Sequence, residues 1–189
     1  YLFNFDIIED VPYGQVYEIT GGFQNKNNNQ RTYFSGRFAY GDYFSFGYLG
    51  TNIELGSFYN SGITEETTLR IETNYFTNLL SIGSWRIRQF IRPTLVIGNN
   101  RAQIIKDRIT ISDGNGISGF DNPLINGTKK LFTSFQTQTY LPGNWHGFHF
   151  SPFFNMTFGL LGDETNRILN DKVYSIFSLG ALINNDYLV

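Results

Sequence analysis

Alternation of apolar and polar residues with a period of two runs through most of the chain, and this pattern predicts β-strands. It is clearest over 148–160, where Phe150, Phe154 and Phe158 fall on one face and mostly polar or small residues fall on the other. No convincing stripe of helical period is present. The sequence therefore predicts an all-β chain in up-and-down order, with about eight strands that also include 15–25, 30–41, 44–59, 68–80, 84–98, 130–141 and 172–184.

The polar sides of these strands carry charges that suit an enclosed, hydrated space. They favour Arg, Glu, Asn, Gln, Ser and Gly, whereas a face exposed to bulk water usually carries many Lys and Glu. The opposite sides offer Phe, Leu, Ile and Tyr, which suit lipid. The predicted lumen charges are Arg70, Glu72, Arg86, Arg88 and Arg92, together with Glu18, Arg37 and Glu54.

The length of the strands separates two fold classes. The predicted strands are about twice the usual ~5–6 residues, and closure of a sheet satisfies every backbone group without water, as lipid requires. The sequence therefore predicts a transmembrane antiparallel up-and-down β-barrel. A soluble β-sandwich or a lipocalin-like barrel is the alternative.

Composition narrows the class of protein further. The chain has 189 residues, of which 41% are hydrophobic, yet no run approaches the ~18 apolar residues of a transmembrane helix. Aromatic residues make up 17%, which is high for a soluble domain. The net charge is −2 and no basic cluster is present, which argues against nucleic acid as a partner. The lipid bilayer of a bacterial outer membrane is the predicted environment.

Candidate reactive groups are sparse. Cys is absent, which excludes disulfides and thiolate metal sites. His146 and His149 are too isolated to match a known metal-ligand spacing. The segment 113–116 lacks the acidic series and the closing Glu of a calcium loop. The sequence therefore predicts no catalytic residue and no metal or other cofactor, and it identifies no small-molecule substrate.

The segment 99–130 breaks the alternation, and loops of this length are usually functional or disordered. It contains Ile117-Ser118-Gly119-Phe120, which is followed by Ser134-Phe135-Gln136 and Leu141-Pro142, and then by Phe153-Phe154-Asn155. These pieces resemble the BamA/TamA superfamily, also called the bacterial surface antigen family. The resemblance covers roughly 15–189, although the specific motifs lie within about 100–160.

The resemblance implies a barrel of sixteen strands, of which this chain would supply about half. In the family a long loop folds into the lumen, and its Arg pairs with a Glu and an Asp of neighbouring strands. The matching positions here are Ser118, Gln136 and Asn155, so all three charges are replaced together by neutral groups. We expect the tip Ile117–Phe120 to dock on the lumen wall near Gln136 and Asn155.

Three functions follow from these expectations. The first is a BamA/TamA-type barrel that assists insertion or translocation of proteins or lipids at the outer membrane, with client outer-membrane proteins or assembly subunits as partners. The second is a barrel that anchors a tethered periplasmic or surface enzyme domain. The third is a self-contained eight-stranded barrel of structural or adhesive type. We treat 1–189 as one barrel segment, expected to be part of a longer chain, and its Asn, Phe and Tyr usage favours a Bacteroidetes-like source.

Overall fold

The fold is a single large antiparallel sheet. The computed structural model describes residues 11–26, 29–101, 107–112, 116–117, 119–141, 143, 146–164, 168 and 172–185. Its strands are β1 (Gly14–Lys26), β2 (Asn29–Phe44), β3 (Gly47–Asn60), β4 (Ile63–Thr77), β5 (Leu80–Ile82), β6 (Trp85–Asn99), β7 (Ile109–Thr110), β8 (Asn126–Gly127), β9 (Lys129–Tyr140), β10 (Phe148–Gly162) and β11 (Val173–Asn185).

Each long strand between β1 and β11 pairs with the long strand that precedes it and the one that follows it. The spatial order is β1-β2-β3-β4-β6-β9-β10-β11, with the short β5 paired to β6. Strands β7 and β8 form a separate two-stranded sheet inside the long loop. The described residues contain no helix that is long and apolar enough to cross a membrane. The all-β, antiparallel, up-and-down prediction is confirmed.

The sheet is open in the part of the chain that the structure describes. Strands β1 and β11 are its two edges and do not pair with each other. These eight long strands therefore do not close on themselves in the way that a self-contained eight-stranded barrel requires.

Register places the polar residues of successive strands on one face. Glu18 is paired with Arg37, Arg37 with Glu54, and Glu54 with Arg70, so charges of alternating sign form one row across β1–β4. We call this side the polar face. The opposite side, the apolar face, exposes large side chains such as Ile19, which is 90% exposed. Other exposed members of the apolar face include Phe23, Phe34, Leu55, Phe154, Phe177 and Leu179.

Aromatic rings cover glycines on the polar face. Tyr48 is only 2% exposed, and its ring lies over Gly41 and Gly50, where a Cβ would collide with it. Its hydroxyl donates a hydrogen bond to the Pro12 carbonyl at 2.6 Å. The chain ahead of β1 therefore crosses this face, where Val11 packs against Tyr48 and its buried neighbours Phe76 and Phe90.

We predict that Gly41→Ala destabilises the protein by about 1–3 kcal/mol, because the added methyl group overlaps the Tyr48 hydroxyl and the Pro12 carbonyl. Gly36→Ala, in the same strand, is the control, since nothing lies within 4 Å of its Cβ position. Equilibrium unfolding in denaturant measures both variants. An equal loss in the two would show that overlap with Tyr48 is not the cause.

Candidate functional site

The first half of the polar face is a hydrogen-bonded ladder of charges. Arg37 donates to Glu18 at 3.2 Å and to the Asn52 side-chain oxygen at 2.7 Å. Asn52 in turn donates to Glu72 at 3.1 Å, and Glu72 accepts a further bond from Arg70 at 2.6 Å. The two cations lie on β2 and β4, and the carboxylates that bind them come from β1 and β4. These charges are therefore balanced locally.

A more buried ion cluster closes one end of this ladder. The Arg31 side chain is 6% exposed and forms ion pairs with Glu65 at 3.4 Å and Glu66 at 3.0 Å. Its guanidinium lies 4.0 Å from the centre of the Phe58 ring. Glu66 adopts a left-handed backbone conformation, with φ of 48°, close to the register shift between Gly56 and Phe58. An irregular stretch of the β3–β4 hairpin therefore brings both carboxylates to one arginine.

The second half of the polar face is cationic. Strands β6, β9, β10 and β11 contain no Asp or Glu. Their polar face carries Arg86, Arg88 and Arg92 from β6 and Lys130 from β9. Arg88 lies 5.2 Å from the centre of the Phe76 ring, and Arg92 lies 5.4 Å from that of Phe90. The five predicted lumen charges all lie on this one face, in two electrostatically different halves.

The long loop packs onto the cationic half through apolar contacts. Ile109, Ile111 and Ile117 form a buried cluster with Leu161 of β10, and Ile111 is completely buried. The Ile117 amide donates to the Ile111 carbonyl at 2.7 Å, which draws the loop back on itself. Partly buried side chains surround the cluster, namely Val96, Phe120, Ile125, Phe132 and Tyr174.

Backbone hydrogen bonds clamp the returning end of the loop. Thr128 accepts a bond from the Gly98 amide at 2.7 Å and donates its own amide to the Gly162 carbonyl at 2.9 Å. Gly98 is the next-to-last residue of β6 and Gly162 is the last residue of β10, so one residue joins the ends of two strands that both pair with β9.

The predicted loop motif lies near its predicted docking residues, but its described side chains contact other residues of the sheet. The Ile117 side chain lies over Gly159, at 3.4 Å from that residue's Cβ position, and Phe120 lies 5.7 Å from Tyr174, ring centre to ring centre. Gly119 has a left-handed φ of 78°. Ser118 lies outside the described residues.

Gln136 and Asn155 are direct register partners on the polar face. Asn155 lies two same-face positions along β10 from Gly159. Both residues line an open cleft of about 420 Å³, which Gly116 also lines. The side-chain oxygen of Asn155 is buried and has no hydrogen-bond partner. The neutral pair therefore borders the docked loop without a charged contact to it.

Some important residues were not singled out from the sequence. Ile109 and Ile111 were missed because their contacts with Leu161 are distant along the chain, although their spacing is that of a short strand. The contact of Tyr48 with the chain ahead of β1 carried no local signal.

Among the described residues, no group of three or more His, Asp or Glu side chains is placed to hold a metal ion. Comparisons of the chain with protein-family models, with curated proteins and with solved structures return no match. The geometry of the polar face and its docked loop therefore carries the functional argument.

We predict that Ile111→Ala loosens the docked loop by about 2–4 kcal/mol, because the variant leaves a cavity where a completely buried side chain was. Leu124→Ala is the control within the same loop, since Leu124 is 78% exposed. Hydrogen exchange at the Ile117 and Thr128 amides should accelerate about thirtyfold or more in the first variant alone. Unchanged exchange in Ile111→Ala would contradict the packing.

We also predict that the two arginine pairs differ in strength. Arg31→Met should cost about 3 kcal/mol, because it leaves Glu65 and Glu66 close together without a cation. Arg37→Met should cost only about 0–1 kcal/mol, because the side chains of Arg37 and Glu18 are 41% and 49% exposed. Denaturant unfolding compares the two, and similar costs would mean that burial does not set the difference.

Proposed function

We propose that the chain is part of a transmembrane β-barrel of the BamA/TamA type in a bacterial outer membrane. The apolar face would contact lipid and the polar face would line the lumen. The exposed Ile, Leu and Phe side chains of the apolar face support this orientation. The lengths of strands such as β2, with 16 residues, and β10, with 15, also support it. At a rise of ~3.4 Å per residue, each of these strands is longer than the ~25 Å apolar band of an outer-membrane barrel, even when the strand is tilted.

The single observation that carries the proposal is the long loop packed on the polar face. In an ordinary sheet protein the apolar face would be covered, yet here the buried isoleucine cluster lies on the charged face. A loop that is held inside a lumen would account for the exposed apolar face and for the loop packed on the polar face. Lipid would cover the apolar face, and the loop would fill part of the enclosed space.

The activity we propose is assistance in the insertion or translocation of proteins, or of lipids, at the outer membrane. Such work needs a lumen and a loop with a defined docked position, and it needs no reacting side chain. The loop is held here by Ile111, Ile117 and the Thr128 clamp, so its docking does not depend on an ion pair at positions 118, 136 and 155.

The neutral pair Gln136 and Asn155 favours a second candidate. The resemblance places carboxylates at these positions, and this chain carries amides. A barrel that anchors a tethered periplasmic or surface enzyme domain would not need ion pairs between the loop and these strands. The amount of other folded outer-membrane proteins distinguishes the two candidates, because only an assembly barrel would affect it.

We predict that deletion of residues 114–122 removes the assembly activity while the barrel still reaches the outer membrane. The deletion removes Ile117 and Phe120, and with them the contacts to Gly159 and Tyr174. The native gene would be replaced by the deletion, with Leu124→Ala as the matched control, and the amounts of folded outer-membrane proteins would be compared with wild type. Conductance of the purified full-length protein in planar bilayers would report the state of the lumen.

A fall in other outer-membrane proteins in the deletion strain, and not in the control strain, is expected. Normal amounts of those proteins, together with loss of a tethered enzyme from the membrane, would instead favour the anchor. Unchanged conductance and unchanged stability in the deletion variant would contradict a loop that lies inside the lumen.

A further inference from the structure

One cation of the polar face is both partly buried and without an acceptor. Arg88 projects from β6 on the polar face, and its Nε and Nη1 atoms are buried with no hydrogen-bond partner. The Phe76 ring lies 5.2 Å from the guanidinium carbon and excludes water from that side. No carboxylate of the described residues forms an ion pair with Arg88, although four other ion pairs are found on the polar face.

A small cavity lies beside this guanidinium. It measures about 20 Å³, and Ser151 of β10 and Gln138 of β9 line it together with Arg88. Ser151 is 2% exposed and its hydroxyl has no hydrogen-bond partner. Two unpartnered polar groups, one of them charged, thus border one cavity. The remaining lining residues are Leu79, Arg86, Thr139 and Tyr140.

The size and charge of the cavity select its occupant. A volume of about 20 Å³ admits a particle of the size of one water molecule, for which ~10–15 Å³ is the minimum. A water molecule could accept hydrogen bonds, but it would leave the guanidinium charge uncompensated in a site partly closed to solvent, which is costly. A small monovalent anion meets both requirements, since it accepts N–H and O–H donors and neutralises the charge.

We propose that this cavity is a binding site for a halide ion, chloride in solution. Arg88 supplies the charge and two donor nitrogens, the Ser151 hydroxyl supplies a third donor group, and Gln138 lies on the wall. The ion would join the starting ends of β6 and β10 to the final end of β9. The docked loop contacts the opposite ends of these strands, so the site is separate from it and does not depend on the proposed transport function.

The purified full-length protein provides the test. Thermal unfolding is followed while chloride replaces gluconate at constant ionic strength. The Tm should rise by about 3–5 °C for each tenfold increase in chloride above the dissociation constant. Bromide should act like chloride because it is a halide of similar size, and sulfate should have no such effect because it is too large for the cavity.

Variants distinguish a bound ion from a general salt effect. Arg88→Met should abolish the chloride response without lowering the Tm in gluconate, since it also removes the uncompensated charge. Ser151→Ala should shift the response to higher chloride. Arg92→Met is the matched control, because Arg92 does not line this cavity, and it should keep the full response.

Bromide soaked into crystals should give an anomalous scattering peak between Arg88 and Ser151. A Tm that is the same in chloride and gluconate would overturn the proposal, and so would a chloride response that survives in Arg88→Met. A water molecule alone in the cavity, with no anomalous signal, would also overturn it.

Discussion

The structure depends on one constraint, which is that strands β1, β2, β3, β4 and β6 present the charged residues of their central parts to the same side of a continuous antiparallel ladder. Side chains alternate strictly along a strand, so a slip of one residue in any pairing would turn a whole strand over. A slip between β2 and β3 would move Glu54 to the apolar face, beside residues of β2 such as Phe38, and would turn Ile53 to the polar face. Such a slip would bury apolar groups where charges now pair, which makes the register unambiguous in β1–β4.

The two halves of the polar face meet this constraint in different ways. Strands β1–β4 balance Arg37 and Arg70 against carboxylates through direct hydrogen bonds. Strands β6, β9, β10 and β11 have no carboxylate with which to do the same, and there the face becomes apolar where the loop lies, at Val96, Phe132 and Leu161. The polar face is therefore a graded surface, on which an ion-paired region gives way to cations and then to a hydrophobic patch beneath the loop.

The sequence allowed the strands and their faces to be predicted because alternation is a local signal. The bounds predicted for 84–98 and 148–160 differ from those of β6 and β10 by no more than two residues. Contacts between distant segments were beyond such reasoning, since nothing near Ile111 specifies Leu161 and nothing near Pro12 specifies Tyr48. The docking of the loop tip was predicted from a resemblance, and its contact with Gly159 reflects the apolar cluster, which no motif encodes.

The clamp at Thr128 has a mechanical consequence. Because this residue joins the ends of β6 and β10 through its own backbone, forces on the outer part of the loop are transmitted to two strands at one fixed point. The segment 121–124 lies outside the buried cluster and upstream of that point, between the packed residues Phe120 and Ile125. Its length can therefore change with little effect on the sheet, since the entropy of closing a longer loop grows only slowly. Such a loop can acquire new outer surface in evolution while its base keeps the same position.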